Sequence, residues 1–501
     1  MKRFKEIIST LCLAALLFLP ASCSDFEEIN SDSTRLPYGS STPDKLLFNL
    51  IHSGNWTVYY YGFHQITSEL MQYSIRTDVM SQVFNYVILS NNLTNIWSGL
   101  QKQTATAIHM YNMAVKNNDP NLQAVALTMK AYYLSNITDV FGDVPYSEAY
   151  QVKGTDDDIT HPKFDDQKSI YQSILADLET ANSLYNVEKE MINPTRDILY
   201  QGDFKKWQKF TNSLHLRLLL RVSKQAEMNA GEEMEKIVSD PVTYPLFTDN
   251  TDAAILYYTG ENPNYNQTGA SGSLGNNALA KNRKMAAELV DLMNGCMDPR
   301  LPKYMTATAD GRYTGIKSGY DYNYIAQMVT AGASTYADAL SNDLWPTTFM
   351  DYAELNFILA EAALRGLISG GETEAKTYHN KGVTASVHQW CGPNVSSNFL
   401  LTDTSAKFDG TVERIIGQKF VASFLNGFEA WNDYRRTRFP KLEIGPAAQN
   451  KDALGISHLP TRLQYPSICQ TANADQYYEQ VRKMGADDML VKVWWAEGTN
   501  Y

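Results

Sequence analysis

The sequence contains none of the short motifs that mark common enzymes: G-x-S-x-G, H-E-x-x-H, the P-loop and G-x-G-x-x-G are all absent from its 501 residues. Its 8 histidines are scattered. No two stand at metal-ligand spacing beside a carboxylate, so neither a metal nor any other cofactor is expected. No run of lysine and arginine is present to hold a phosphate backbone, and the formal net charge is −12. That balance argues against nucleic acid as a partner. Cysteine is scarce too, at 5 residues with no C-x-x-C pair, which excludes a disulfide-framed scaffold. The apolar run at the N-terminus, Ile7 to Leu19, is too short to span a bilayer.

That run has another use. Lys2, Arg3 and Lys5 form a basic stretch before it, and the small residues Ala21 and Ser22 stand immediately before Cys23 in LPASCSDFEE. The order is that of a lipoprotein signal: residues 1–22 removed, Cys23 acylated with palmitate or a similar chain, and residues 23–501 left as one mature domain. Two or three acyl chains anchor a protein stably at a membrane, whereas one does not. Loss of Lys2, Arg3, Lys5 and Glu6 takes the net charge from −12 to −14. Cys12 leaves with the signal, so Cys296, Cys391 and Cys469 remain. One disulfide is compatible with three cysteines, and buried free thiols are the expectation.

Helical periodicity dominates the rest. Leu93, Ile96, Trp97, Leu100, Ala107, Ile108, Tyr111 and Ala114 keep one apolar face, and Leu122, Val125, Ala126, Met129 and Tyr133 keep another. Asp119-Pro120 marks the start of the second helix, and Gly142 with Val144-Pro145 marks its end. A second pair is expected over Ile170–Leu184 and Phe204–Leu218, with Asp203 as the cap. Residues 347–366 and 374–388 form a third pair, and residues 414–440 hold the last repeat. The pairs show no clean period near the roughly 34 residues of standard tetratricopeptide repeats, so they are degenerate TPR-like units. The expected fold is mainly α: four such pairs, long irregular loops and a few short strands.

Two aromatic stretches fall outside this pattern. Tyrosine is abundant, at 31 residues against 19 Phe and 8 Trp. Trp56, Tyr59, Tyr60 and Tyr61 crowd among Gly54, Asn55, Gly62 and His64 in a loop-like stretch. Residues 240–343 lack a sustained helical stripe, and Tyr320, Tyr322 and Tyr324 alternate there, so an extended strand would place all three on one face. Rings can stack on a sugar while amides satisfy its hydroxyls, so both stretches are candidate ligand contacts. Packing beneath the helix pairs accounts for the same residues equally well.

Six stretches in order carry a resemblance: AYYLSNITDVFGDVPYSEA, WQKFTNSLHLRLLLRVSK, Y-A-E-L-x-F-x-x-A-E-A at Tyr352 to Ala362, RIIGQKFVASFLNGFEAWNDYRRTRFP, RLQYPSICQTAN and DDMLVKVWWA. Together they resemble the SusD/RagB family of nutrient-binding outer-membrane lipoproteins. Ile468-Cys469 departs from the family pattern, which has an acidic or amide residue soon after Y-P. The resemblance implies a protein anchored at the outer membrane's external face. It would bind a glycan or a peptide without chemistry and deliver it to a SusC-like TonB-dependent transporter. It also implies structural roles for Glu354 and Glu361, with Arg217 and Arg221 pairing acids or carbonyls. The competing readings are a surface-anchored glycoside hydrolase using Glu354, Glu361 or Glu413 and a helical scaffold that binds only protein.

Overall fold

The structure, a computed structural model, describes residues 42–78, 83–151, 159–272, 279, 281–402, 404, 406–447 and 458–498. The signal sequence and Cys23 lie outside the described residues. Helix α1, Asp44–Trp56, runs straight into a π-helix, Thr57–Thr67, and then strand β1, Ser74–Arg76. The first pair is α2, Ser90–Lys116, with α3, Pro120–Phe141. Strands β2, Val144–Pro145, and β3, Phe164–Asp165, separate it from the second pair, α4, Gln167–Leu184, and α5, Phe204–Arg221. Then come β4, Ala254–Leu256, β5, Arg283–Met285, α6, Ala287–Asn294, and α7, Tyr322–Thr330. Strand β6, Thr347–Met350, leads to the third pair, α8, Tyr352–Leu364, and α9, Gly371–Cys391. The fourth is α10, Val412–Ala422, with α11, Glu429–Thr437. Helices α12, Ser467–Ala472, and α13, Ala474–Met484, close the chain.

Local sequence explains where the repeats begin. Asp119, Asp203, Asp351 and Thr411 each place a side-chain oxygen on a first-turn N–H of α3, α5, α8 and α10, at 2.7–3.2 Å. Each satisfies a donor that the helix itself leaves unpaired. Helix α3 stops at Gly142, whose φ of +84° suits glycine. A continuous core then buries the stripes read from the sequence, with Trp207, Trp431 and Trp495 among its largest sealed side chains.

The pairs are also joined by buried ions. Arg217 forks onto Glu354 at 2.6 and 2.7 Å, and Arg221 joins Asp139 to Glu429. Arg436 joins Glu361 to Asp433, which Lys419 also meets at 2.8 Å. These groups come from α3, α5, α8, α10 and α11, so one network crosses all four pairs. Glu354 and Glu361 are 2% and 1% exposed; both carboxylates are consumed by arginine. The F-G-D-V-P turn is a junction of the same kind. The Asp143 carboxylate accepts from Gln167 N at the start of α4 and from Gln480 and Lys483 of α13. Its carbonyl takes the Tyr465 hydroxyl at 2.7 Å. Cys296, Cys391 and Cys469 are free thiols.

Three two-stranded antiparallel ribbons are present among the described residues, β1–β5, β2–β3 and β4–β6. The first matters most. It pairs Ser74 with Met285 and Arg76 with Arg283, bringing the end of the π-helix against the 240–343 region. That region is more ordered than its composition suggests, with two ribbon strands and the helices α6 and α7. A small second core of Ile75, Phe84, Ala286, Ile316, Ile325 and Ala333 seats α7 beside the ribbon.

Candidate functional site

The Trp56–Tyr61 stretch is a helix, not a loop. Trp56 ends α1, and Tyr59, Tyr60 and Tyr61 lie in the π-helix. Sequence periodicity misses it because aromatic residues occupy every face and leave no single stripe. Spacing of four is the legible signal: Phe48, His52, Trp56, Tyr60 and His64. Phe48 stacks on His52 at 5.3 Å, Trp56 on Tyr60 at 4.6 Å and 4°, and Tyr60 on His64 at 5.2 Å and 17°. The ladder is thus two stacks in sequence, Phe48–His52 and Trp56–Tyr60–His64, and the backbone change helps to keep them on one side. Four residues overshoot a full turn by roughly 40° in an α-helix and fall roughly 30° short of one in the wider π-helix, so the drift reverses at Trp56.

Trp56, Tyr60 and Tyr61 are half-buried, whereas Tyr59 is 2% exposed and has no face to offer a ligand. Burial lowers the pKa of His52. Burial, then the Arg283 and Arg76 cations, hold His64 well below its usual range. Both imidazoles are therefore neutral at physiological pH.

The alternation of Tyr320, Tyr322 and Tyr324 does not make a strand. Asp321 caps α7 by accepting from Tyr324 N at 2.9 Å, and the three rings do not form one shared face. Tyr320 and Tyr324 pair at 4.6 Å. Tyr322, 44% exposed, turns the other way and donates its hydroxyl to the Thr77 carbonyl at 2.6 Å. An N-cap aspartate outweighs alternation when the segment has no partner strand.

Ribbon β1–β5 nonetheless brings the two aromatic groups to one neighbourhood, with polar residues that the sequence did not single out. Arg76 pairs with Asp78 at 2.9 Å, and Asn282 donates to the same carboxylate oxygen at 2.8 Å. Behind them Arg283 is sealed on Glu69 at 3.0 Å. A guanidinium, a carboxylate and an amide fixed beside aromatic edges form an arrangement suited to hydroxyl groups. Among the described residues no group of three or more His, Cys, Asp or Glu side chains could hold a metal, and no helix is long and apolar enough to cross a membrane.

Known proteins share this architecture. A family model described as "Starch-binding associating with outer membrane" matches residues 40–466. No curated protein matches the sequence. A solved chitin-binding protein is 25% identical with a TM-score of 0.74, over 91% of this chain and 100% of that one. A SusD homologue from Bacteroides fragilis gives the same four values. A chitin-binding SusD homologue from Flavobacterium johnsoniae is 22% identical with a TM-score of 0.74, over 91% and 98%, and it speaks for the fold alone. With the matched region spanning most of the sequence and the four TPR-like pairs in place, this chain belongs to the SusD-like family of outer-membrane nutrient-binding proteins.

Proposed function

We propose that this protein is an outer-membrane lipoprotein, anchored through Cys23, that binds a glycan beside the aromatic ladder and passes it to a SusC-like TonB-dependent transporter. It does so by binding alone. The three glutamates considered for hydrolysis are each paired: Glu354 and Glu361 in the core, and Glu413 with Lys441 at 3.0 Å. The observation that carries the reading is that the Tyr60 and His64 end of the ladder feels the Arg283 and Arg76 cations of ribbon β1–β5, whose Arg76 is held with Asn282 on Asp78. Inner faces of stacked rings are already covered, so a sugar would meet the accessible edges of Trp56, Tyr60 and Tyr61. Its hydroxyls would pair with the polar cluster. Held near the transporter by its lipid, the protein raises the local ligand concentration at the entrance.

Chitohexaose is the first ligand to test, because two structural relatives are described as chitin-binding. A stacked ring is worth about 1–2 kcal/mol, so Trp56→Ala and Tyr60→Ala should each weaken binding about five- to thirty-fold in calorimetric titration. Thermal melts separate this from packing. A lower melting temperature with unchanged affinity in the folded fraction would remove the ladder as the site.

A further inference from the structure

A cavity of about 490 Å³ opens at the first repeat. Its walls are Trp97 of α2, Tyr150 and Phe164 around the β2–β3 ribbon, and Ile468 and Asn473 around α12. The volume is in the range of small-ligand sites. Among the described residues no aspartate or glutamate lines it, and Lys102 is the one charged side chain there. Trp97 and Phe164 lie 6.3 Å apart, while Tyr150 anchors its hydroxyl on Gln101. Asn473 is oriented by a 2.7 Å bond from its Nδ2 to the Pro162 carbonyl, which leaves Oδ1 with no donor partner.

Ile468 is informative here. It is 43% exposed, a high value for a large aliphatic residue, and the exposed part lies at this cavity. Cys469 lines the wall beside it. The described walls are thus aromatic and aliphatic, with uncharged acceptors and the Lys102 ammonium.

We infer that this cavity is a second ligand site, for a neutral saccharide, separate from the ladder and built on the rigid first repeat. Ring and aliphatic surfaces would take the C–H face of a sugar. Asn473 Oδ1 would accept from one of its hydroxyls, and Lys102 would donate to another. The ladder and this cavity share no residue, so the two sites can fail independently.

The test uses the full-length mature protein with chitohexaose, cellohexaose and maltohexaose, each read by hydrogen–deuterium exchange. At least one sugar should protect residues 97–105 and 467–473 in Tyr60→Ala as well as in the wild type. Ala105→Trp, which fills the cavity from a half-buried position on α2, should abolish that protection and leave protection of residues 56–64 unchanged. Tyr150→Ala should weaken it about five- to thirty-fold. The inference is overturned if no sugar protects these segments, or if protection survives Ala105→Trp in a protein that melts normally. Protection of residues 56–64 in the same experiment reports on the ladder separately, so failure of one site is distinguishable from failure of the other.

Discussion

Asp351 illustrates how much a single buried group can be asked to do. It caps α8 from a fully buried position, and burial, then the neighbouring Glu354 carboxylate, pushes its own carboxyl up to about 7. An acid raised in the folded state from about 3.9 contributes stability at low pH that is lost as pH climbs toward 7. Asp351→Asn keeps the capping oxygen and cannot ionise. Its melting temperature should therefore fall less than the wild type's between pH 5 and pH 8; parallel pH profiles would refute this. Arg217 tests the neighbouring ions. Arg217→Met leaves Glu354 buried without its fork and should cost about 3–5 kcal/mol in chemical denaturation. Adding Glu354→Leu should recover much of the loss, because the penalty is an uncompensated charge. If the double variant is no better than the single, the network has been misread. The sequence made Arg217 and Arg221 legible as pairing residues. Their partners Asp139 and Glu429, 82 and 208 positions from Arg221, were not legible, since nothing local records a contact at that distance.

Helices were readable wherever one face alone is buried. The stripes of α2 to α5 gave their positions, and the caps Asp119 and Asp203 gave their starts. The candidate site was readable only in part. Aromatic content pointed to residues 56–61 and 320–324, but residues 57–61 follow a π-helix and Tyr322 and Tyr324 open a capped α-helix in place of the expected loop and strand. The polar cluster of Arg76, Asp78 and Asn282 exists only because β1 pairs with β5. The π-helix makes one element unusually sensitive to length. Deleting Tyr61 would let the segment relax toward an α-helix and turn everything after it by roughly 80–100°. Tyr73, stacked on Phe420 at 4.3 Å, would lose its seat. The deletion should therefore lower the melting temperature by more than Tyr61→Ala does. Equal effects of the two changes would mean that the register carries no weight.

On the scale of the whole molecule, attachment and shape act together. Cys23→Ala should release the protein from membranes into the soluble fraction; a variant that still partitions fully with membranes rules out the anchor. Cross-linking in intact cells, followed by gentle extraction, should recover a large β-barrel partner, and repeated recovery of the lipoprotein alone would count against the transporter. The position of α1 has a mechanical side as well. With the anchor proposed at Cys23, load from the membrane would meet α1, which begins at Asp44, before any repeat. Leu47, Leu50 and Ile51 pin that helix against the scaffold, and Phe48 and His52 stand on its outer side. A pull on the membrane end would thus reach first the element that holds the ladder, with the ion-linked repeats behind it bearing the reaction. Under the proposed anchor and ligand site, tension and occupancy would be arranged in series, so a tug at the membrane would be felt at the ligand.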